Sequence, residues 1–388
     1  MHYRDSILAQ LLKPISRRWF RGRADALGAD AYDKGFRSWD HLVTLVYAQL
    51  GSVGSLRGIE AVWNANAHHR YHLGVGKLAR STLSDANARR PVAIFAETFA
   101  FLSGLADKTL RREGAEMLRL IDATPIPLHR IVGWAKWNGR TRGLKLHVVY
   151  DPHADHPRSI DITPANVHDV VAGRAVPIET GATYAFDKAY CDYAWWTRLD
   201  GAGALFVTRP KTNARYEVVR RRPLERKVGE GFKIIDDTDV RLATQGNKKL
   251  AIPMRRVRVR RDEDGSMLSI VTNDRQRSAI AIATIYKTRW QIELLFRWLK
   301  QNLKIVRFIG RTENAIQLQI VAAMIAYLLL RIASRQSRVA MSAIRFAELA
   351  GEFLFTRKPI ARIDKPPEVN PSTARPRQSP DQLQLCYA

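Results

Sequence analysis

The chain has 388 residues, 46% of them apolar and 26% charged. That length and apolar content accommodate two or three domains with a sizeable core and exclude a largely disordered chain. A net charge of +26 makes a polyanion the expected partner, nucleic acid first and an anionic membrane surface second.

Residues 1 to about 112 read as helical and basic. Apolar residues recur at helical spacing in 38–50 (SWDHLVTLVYAQL), 55–66 (SLRGIEAVWNAN) and 81–106, with turn residues between. Short helices with Arg and His in the connections suit a DNA-binding module, or an ordinary helical domain with a solvated basic face. From about 116 the period changes. Segments 116–124, 144–151, 157–163, 182–190 and 203–209 each read as a strand bounded by Gly, Pro, Asn or Asp. Segments 166–176 and 191–199 between the last three can be helical. Strands in a row, then strands alternating with helices, predict a mixed α/β sheet.

Residues 210 to about 265 hold short strand-like runs and form a β-rich section. Within RRVRVRR (255–261), Arg256, Arg258 and Arg260 share one strand face. A solvated edge strand protected by charge and a phosphate-tracking ribbon fit equally. Helices resume at 277–303 and 314–335. The apolar run 320–332 is short for a bilayer and contains Arg331, so it reads as a buried helix. The expected organisation is a helical domain (1–112), a core in two parts (113–209 and 274–345) split by the β-rich section (210–273), and a disordered, Pro-rich tail (346–388). Cys191 and Cys386 are the two cysteines. They make no disulfide framework and no CxxC pair, which suits a reducing, cytoplasmic setting. No signal peptide is expected, since the first twenty residues lack an apolar h-region.

The stretch YKTRWQIELLFRWLK (286–300) holds one carboxylate, Glu293, among basic and aromatic residues. On a helix at roughly 100° per residue, Tyr286, Arg289, Glu293, Arg297 and Lys300 fall within about 80°. The rest of the circumference is mostly apolar, so the helix should be largely buried with its polar stripe facing a partner or cleft. Ion pairs of Glu293 with Arg289 and Arg297 are the bland alternative. Trp290 and Trp298 flank the stripe and read as core residues, with stacking on an unpaired base as the alternative. Two further carboxylates, Asp122 in LRLIDAT and Asp187 in TYAFDKAY, end apolar strands. A carboxylate there is costly to desolvate unless paired or metal-bound, and strand ends are where open α/β sheets carry their sites. Three carboxylates in a cationic protein suit hard divalent cations, and two such ions support in-line phosphodiester displacement.

The spacing Y286-x2-R289-x3-E293-x6-K300 resembles the YREK signature of bacterial insertion-sequence transposases of the Asp-Asp-Glu class. IDAT and FDKAY resemble the neighbourhoods of that family's catalytic aspartates. WAKWNGRTRGLKLHVVYD, VHDV, IVTND and QNLKIVRFIGRTENAIQLQI resemble further segments, and the N-terminal part resembles the helical domain preceding the core in one branch. The likeness spans roughly residues 5–345. It implies a ribonuclease-H-like core with an inserted β section. Asp122, Asp187 and Glu293 would be catalytic ligands of two Mg²⁺ (or Mn²⁺) ions, and Tyr286, Arg289 and Lys300 would contact DNA phosphates. It further implies double-stranded DNA as partner, both element ends and target, and at least a dimer during synapsis. Relatives often carry Gly two residues after the second Asp, where this chain has Ala189. Lys145, His147 and His168 fall near the inferred core as phosphate contacts or structural residues. A non-catalytic DNA-binding remnant and a nuclease that cuts without joining are the alternatives.

Overall fold

The computed structural model describes residues 5–31, 33, 35–111, 113–128, 132–139, 141–224, 228–243, 252–305 and 307–366. Helices come first: α1 (Ile7–Leu12), α2 (Arg17–Ala26), α3 (Ser38–Leu50), α4 (Leu56–Ala65), α5 (Ala67–Leu73), α6 (Arg80–Arg89) and α7 (Val92–Leu110). Serine hydroxyls start three of them. Ser6, Ser16 and Ser55 accept from the backbone N–H of Ala9, Trp19 and Gly58, satisfying donors that a helix start leaves free. Pro91 separates α6 from α7, where a missing N–H and a fixed φ suit a helix start.

The core follows as β1 (Leu118–Pro127), β2 (Lys136–Trp137), β3 (Arg142–Asp151), β4 (His156–Pro164), α8 (Asp169–Ala175), β5 (Thr183–Phe186), α9 (Tyr193–Gly201) and β6 (Leu205–Thr208). β4, β3 and β1 are antiparallel neighbours, and β5 and β6 run parallel to β1. That order and those directions define a ribonuclease-H-like sheet. Next come β7 (Arg215–Arg221), β8 (Val228–Gly229), β9 (Phe232–Ala243), β10 (Met254–Arg261) and β11 (Met267–Thr272). β11 pairs antiparallel with β6, so the β-rich section extends the core sheet through β10 and β9 to β7.

The arginine-rich run is therefore no edge strand, because β9 and β11 pair β10 on both sides. Alternation sends Arg255 inward, where its guanidinium bonds both oxygens of Asp237 at 2.8 and 2.7 Å. Arg256 turns the other way to Asp236 and the ring of Tyr216.

The chain closes with α10 (Ala279–Thr288), α11 (Trp290–Asn302), α12 (Glu313–Gln336) and α13 (Ala343–Glu352). By length and composition α12 could cross a membrane, yet 89% of its apolar window is buried inside the fold. It packs against α3, α6, α7 and β4, joining the helical domain to the sheet. A charged seam ties the same layers. His156 and Arg158 on β4 meet Asp107 of α7, while Arg119 of β1 bonds Asp151 and Glu179.

Residues 346–366 are not a disordered tail. Phe346, Leu354, Ile360 and Ile363 are buried, and the backbone of Ile7 and Leu8 donates to Thr356 and Leu354. The apolar side chains outweigh the prolines there. Residues 367–388, the rest of the expected tail, lie outside the described residues.

The Arg255–Asp237 pair is 2% and 4% exposed at its side chains. Removing one partner strands a buried charge, whereas removing both does not. Asp237→Ala should lower unfolding free energy by about 3–5 kcal/mol, and Arg255→Met with Asp237→Leu should recover most of that loss in denaturant titrations.

Candidate active site

Ile121, Phe186 and Thr208 lie in one register row across β1, β5 and β6. The next residue of each strand, at the carboxyl edge of the parallel ladder, is Asp122, Asp187 and Arg209. Such an edge, where the parallel ladder stops, leaves side chains free to face a ligand. The sequence reading ended the first strand near Asp122, but β1 runs on to Pro127 against β3, with Asp122 opposite Val148. Only its parallel neighbour β5 has ended there. Asp122 thus stands on a backbone held from one side and open on the other. Asp187 does end β5 and leads a 3-10 turn, Lys188–Tyr190. Ala189 sits in that turn without positive φ, so its methyl group meets no backbone penalty there.

The expected single helix 277–303 is two helices, α10 and α11, joined at Arg289. The N–H of Arg289 bonds Tyr286 and that of Ile292 bonds Arg289, each three residues back at 3.2 Å. Just before the junction the Thr288 hydroxyl donates to the Thr284 carbonyl at 2.9 Å, a back-bond that bends helices. Arg289 sits at this junction with helical dihedrals and reaches the strand edge. The burial of this segment also differs from the expectation. Ile292, Leu295, Phe296 and Leu299 are buried, but Trp290 is 53% and Leu294 46% exposed. Trp290 is therefore no core residue, while Trp298 packs edge-on against Tyr327 with ring centroids 5.0 Å apart.

Arg289 is the hub. Its Nη1 reaches Asp122 Oδ2 at 3.2 Å and its Nη2 reaches Glu293 Oε1 at 2.7 Å. Its guanidinium also lies over the Tyr286 ring, and the Tyr286 hydroxyl donates to Asp187 Oδ1 at 3.4 Å. All three carboxylates and two of the basic or hydroxyl residues of the signature thus meet in one cluster. Lys300, two turns beyond Glu293 on α11, is half-buried, and burial pulls its pKa down. Arg297 is exposed, and among the described residues Glu293 pairs with Arg289 rather than with it.

Burial pushes the Asp122 carboxyl up to about 6; Glu293 and Asp187 add to this, against the Ala123 N–H and Arg289. Burial likewise lifts the Tyr286 phenol to about 12, so it stays a donor. As they stand, no three His, Cys, Asp or Glu side chains among the described residues converge closely enough to hold an ion. The donor chemistry nonetheless fits a hard cation: Asp122 and Glu293 already converge on one positive group, the guanidinium.

Two other candidates, Lys145 and His147, are bonded within the fold. Lys145 donates to Asp169 and to the Val167 carbonyl, both at 2.8 Å. His147 is buried against Thr163, and His168 begins α8 as its N-cap residue. Arg209 is a residue the sequence reading missed. It lies near enough to the Tyr286 phenol to act on its pKa. Its signal was the strand-end rule that found Asp122 and Asp187, applied to the last residue of GALFVTR.

Asp122 and Asp187 thus stand at the carboxyl edge of a ribonuclease-H-like sheet, with Glu293 joined to Asp122 through Arg289. Residues 113–329 match the family described as "Transposase DDE domain", and residues 3–76 match "Domain of unknown function (DUF4372)". The chain is 58% identical over 305 residues to "Putative transposase y4zB" of Sinorhizobium fredii, covering 79% of this chain and 85% of that one. It is 31% identical over 282 residues to "Probable transposase for insertion sequence element IS5377" of Geobacillus stearothermophilus, covering 70% and 73%. The chain belongs to the insertion-sequence transposases of the Asp-Asp-Glu class. Among solved structures, the piggyBac transposase synaptic complex with hairpin DNA aligns at TM-score 0.45 and 10% identity, over 98% of this chain and 86% of that one. The strand topology, not this likeness, carries the fold.

The raised Asp122 carboxyl has a consequence for stability. The fold favours its protonated form, so that contribution is whole below about pH 4 and is lost as pH rises through about 6. Asp122→Asn keeps the neutral form at every pH. In a chelator it should be more stable than the parent at pH 7, by about 1–3 kcal/mol, with the difference vanishing near pH 4 in urea titrations.

Proposed function

We propose that this chain is an active transposase. It binds the terminal inverted repeats of its insertion sequence, cleaves at the ends and joins them to target DNA, working as a homodimer when two ends are synapsed. The observation that carries the reading is Arg289 bridging Asp122 and Glu293, beside the Asp187–Tyr286 contact. Asp122, Asp187 and Glu293 are assigned as the ligands of two Mg²⁺ ions. Bound there, the ions supply activation of a water or 3′-hydroxyl and stabilisation of the leaving oxygen.

The protein's own residues do the rest. A guanidinium cannot serve the carboxylates and a phosphate with the same donors. Arriving DNA therefore offers Arg289 a new acceptor, a phosphate, which it takes as a fork. That exchange frees Asp122 and Glu293 together. Tyr286 donates its proton-bearing hydroxyl and Lys300 its ammonium to neighbouring phosphate oxygens. Arg209, on the third strand of the row, extends the positive rim.

Asp122→Ala, Asp187→Ala and Glu293→Ala should each abolish Mg²⁺-dependent cleavage of a labelled duplex carrying the element's ends, while leaving end binding largely intact. A Glu293→Ala protein that cleaves at the parental rate would sink the assignment. Cleavage without joined product would mark a nuclease instead. Arg289→Ala should weaken DNA binding and lower the slope of log affinity against log salt by about one; an unchanged slope would remove its phosphate role.

A further inference from the structure

A cavity of about 780 Å³ opens between the end of α12 and the turn joining β3 to β4. Arg331, Ser334, Arg335 and Arg338 line one side, and His153 and Asp155 the other. The charges do not cancel. Arg331 pairs with Asp155 at 2.5 Å, and Asp155 also accepts from the hydroxyls of Tyr150 and Tyr327. Arg335 and Arg338 are exposed and make no ion pair among the described residues. The pocket is therefore positive by at least two charges, with a polar lining suited to an anion.

The backbone adds an independent observation. Among the described residues, the non-glycine positions with positive φ are Asp155 and Arg338, both at +50°, and both line this cavity. Arg338 follows the end of α12. Its N–H bonds Arg335 and the N–H of Val339 bonds Ser334. This is the helix ending that ordinarily takes glycine, because a Cβ is disfavoured there. Arginines in a last helical turn can simply offset the helix dipole, and that would account for Arg335. It does not account for Arg338, which lies beyond the helix in a conformation that penalises its side chain. The guanidinium, not the turn, explains the residue.

We infer that this pocket is a second grip on the DNA backbone, taking a phosphodiester of duplex DNA; the inference rests on the DNA-processing reading above. The pocket lies past the nearer end of the β1–β3 ladder, where Leu120 faces Tyr150, two steps from Asp122. Asp122 faces Val148, and the hairpin turn begins only after Asp151. Three strand steps are about 10 Å, so the two sites take different phosphates. Duplex phosphates recur about every 3.4 Å along each strand, and arginine forks suit them.

The test uses the full chain and a duplex carrying the element's ends. Arg338→Gly suits the helix ending, so it should fold at least as stably as the parent. It should nevertheless lower the salt slope of binding by about one, and Arg335→Ala with Arg338→Gly by about two. Single-turnover cleavage at saturating DNA should stay within twofold of the parent, since neither residue touches the carboxylates. A parental slope in the double variant, with the parent binding normally, would overturn the grip and leave the transposase reading standing. A parent that binds no duplex would overturn both. Should inorganic phosphate raise the parent's Tm but not the variant's, with DNA slopes equal, the pocket would belong to a free anion and the inference would fall.

Discussion

One guanidinium holds Asp122 and Glu293 together at the edge of a buried sheet, and the remainder of the site is arranged around it. Burial raises the Asp122 carboxyl first, and the Glu293 and Asp187 charges beside it add to the rise. A cation must stand among them. In the protein by itself that cation is Arg289, one positive charge shared by Asp122 and Glu293.

What makes this possible is positional control by the backbone. Parallel pairing sets side by side the strand ends that Asp122, Asp187 and Arg209 follow. The fourth participant arrives from far along the chain, on helices beyond the β-rich section. That section continues the same hydrogen-bonded ladder, so α10 starts from a platform rigidly tied to β6. At the junction of α10 and α11 the Thr288 hydroxyl bonds the Thr284 carbonyl, and Arg289 follows at once.

Much of this was legible in the residues. Period-two runs marked the core strands, and the carboxylates in LRLIDAT and TYAFDKAY pointed at one edge because the runs before them were apolar. What was missed has local causes. A Thr-to-carbonyl bond four residues back leaves no trace in hydrophobic periodicity, so the break at Arg289 was invisible and the helix looked continuous. Trp290 looked like core because it is large and apolar, yet it shares the exposed arc of α11 with Leu294 and Arg297. RRVRVRR fitted an edge strand and a phosphate-tracking ribbon equally because charge marks both, while here Asp237 and Asp236 from β9 take up Arg255 and Arg256. The segment after 346 looked disordered because prolines and charge obscure four well-spaced apolar anchors. Arg209 was overlooked because a basic residue at a strand end attracts less notice than an acidic one.

Those anchors matter for how the protein is made. The backbone of α1 is completed by carbonyls of Leu354 and Thr356, and Gln10 is bonded to Lys358 and Ile360. α1 is made more than three hundred residues before these partners. Its packing therefore cannot be completed while the chain between them is growing. The first helix is finished only after the sheet has been made, so the two ends of the described chain mature together.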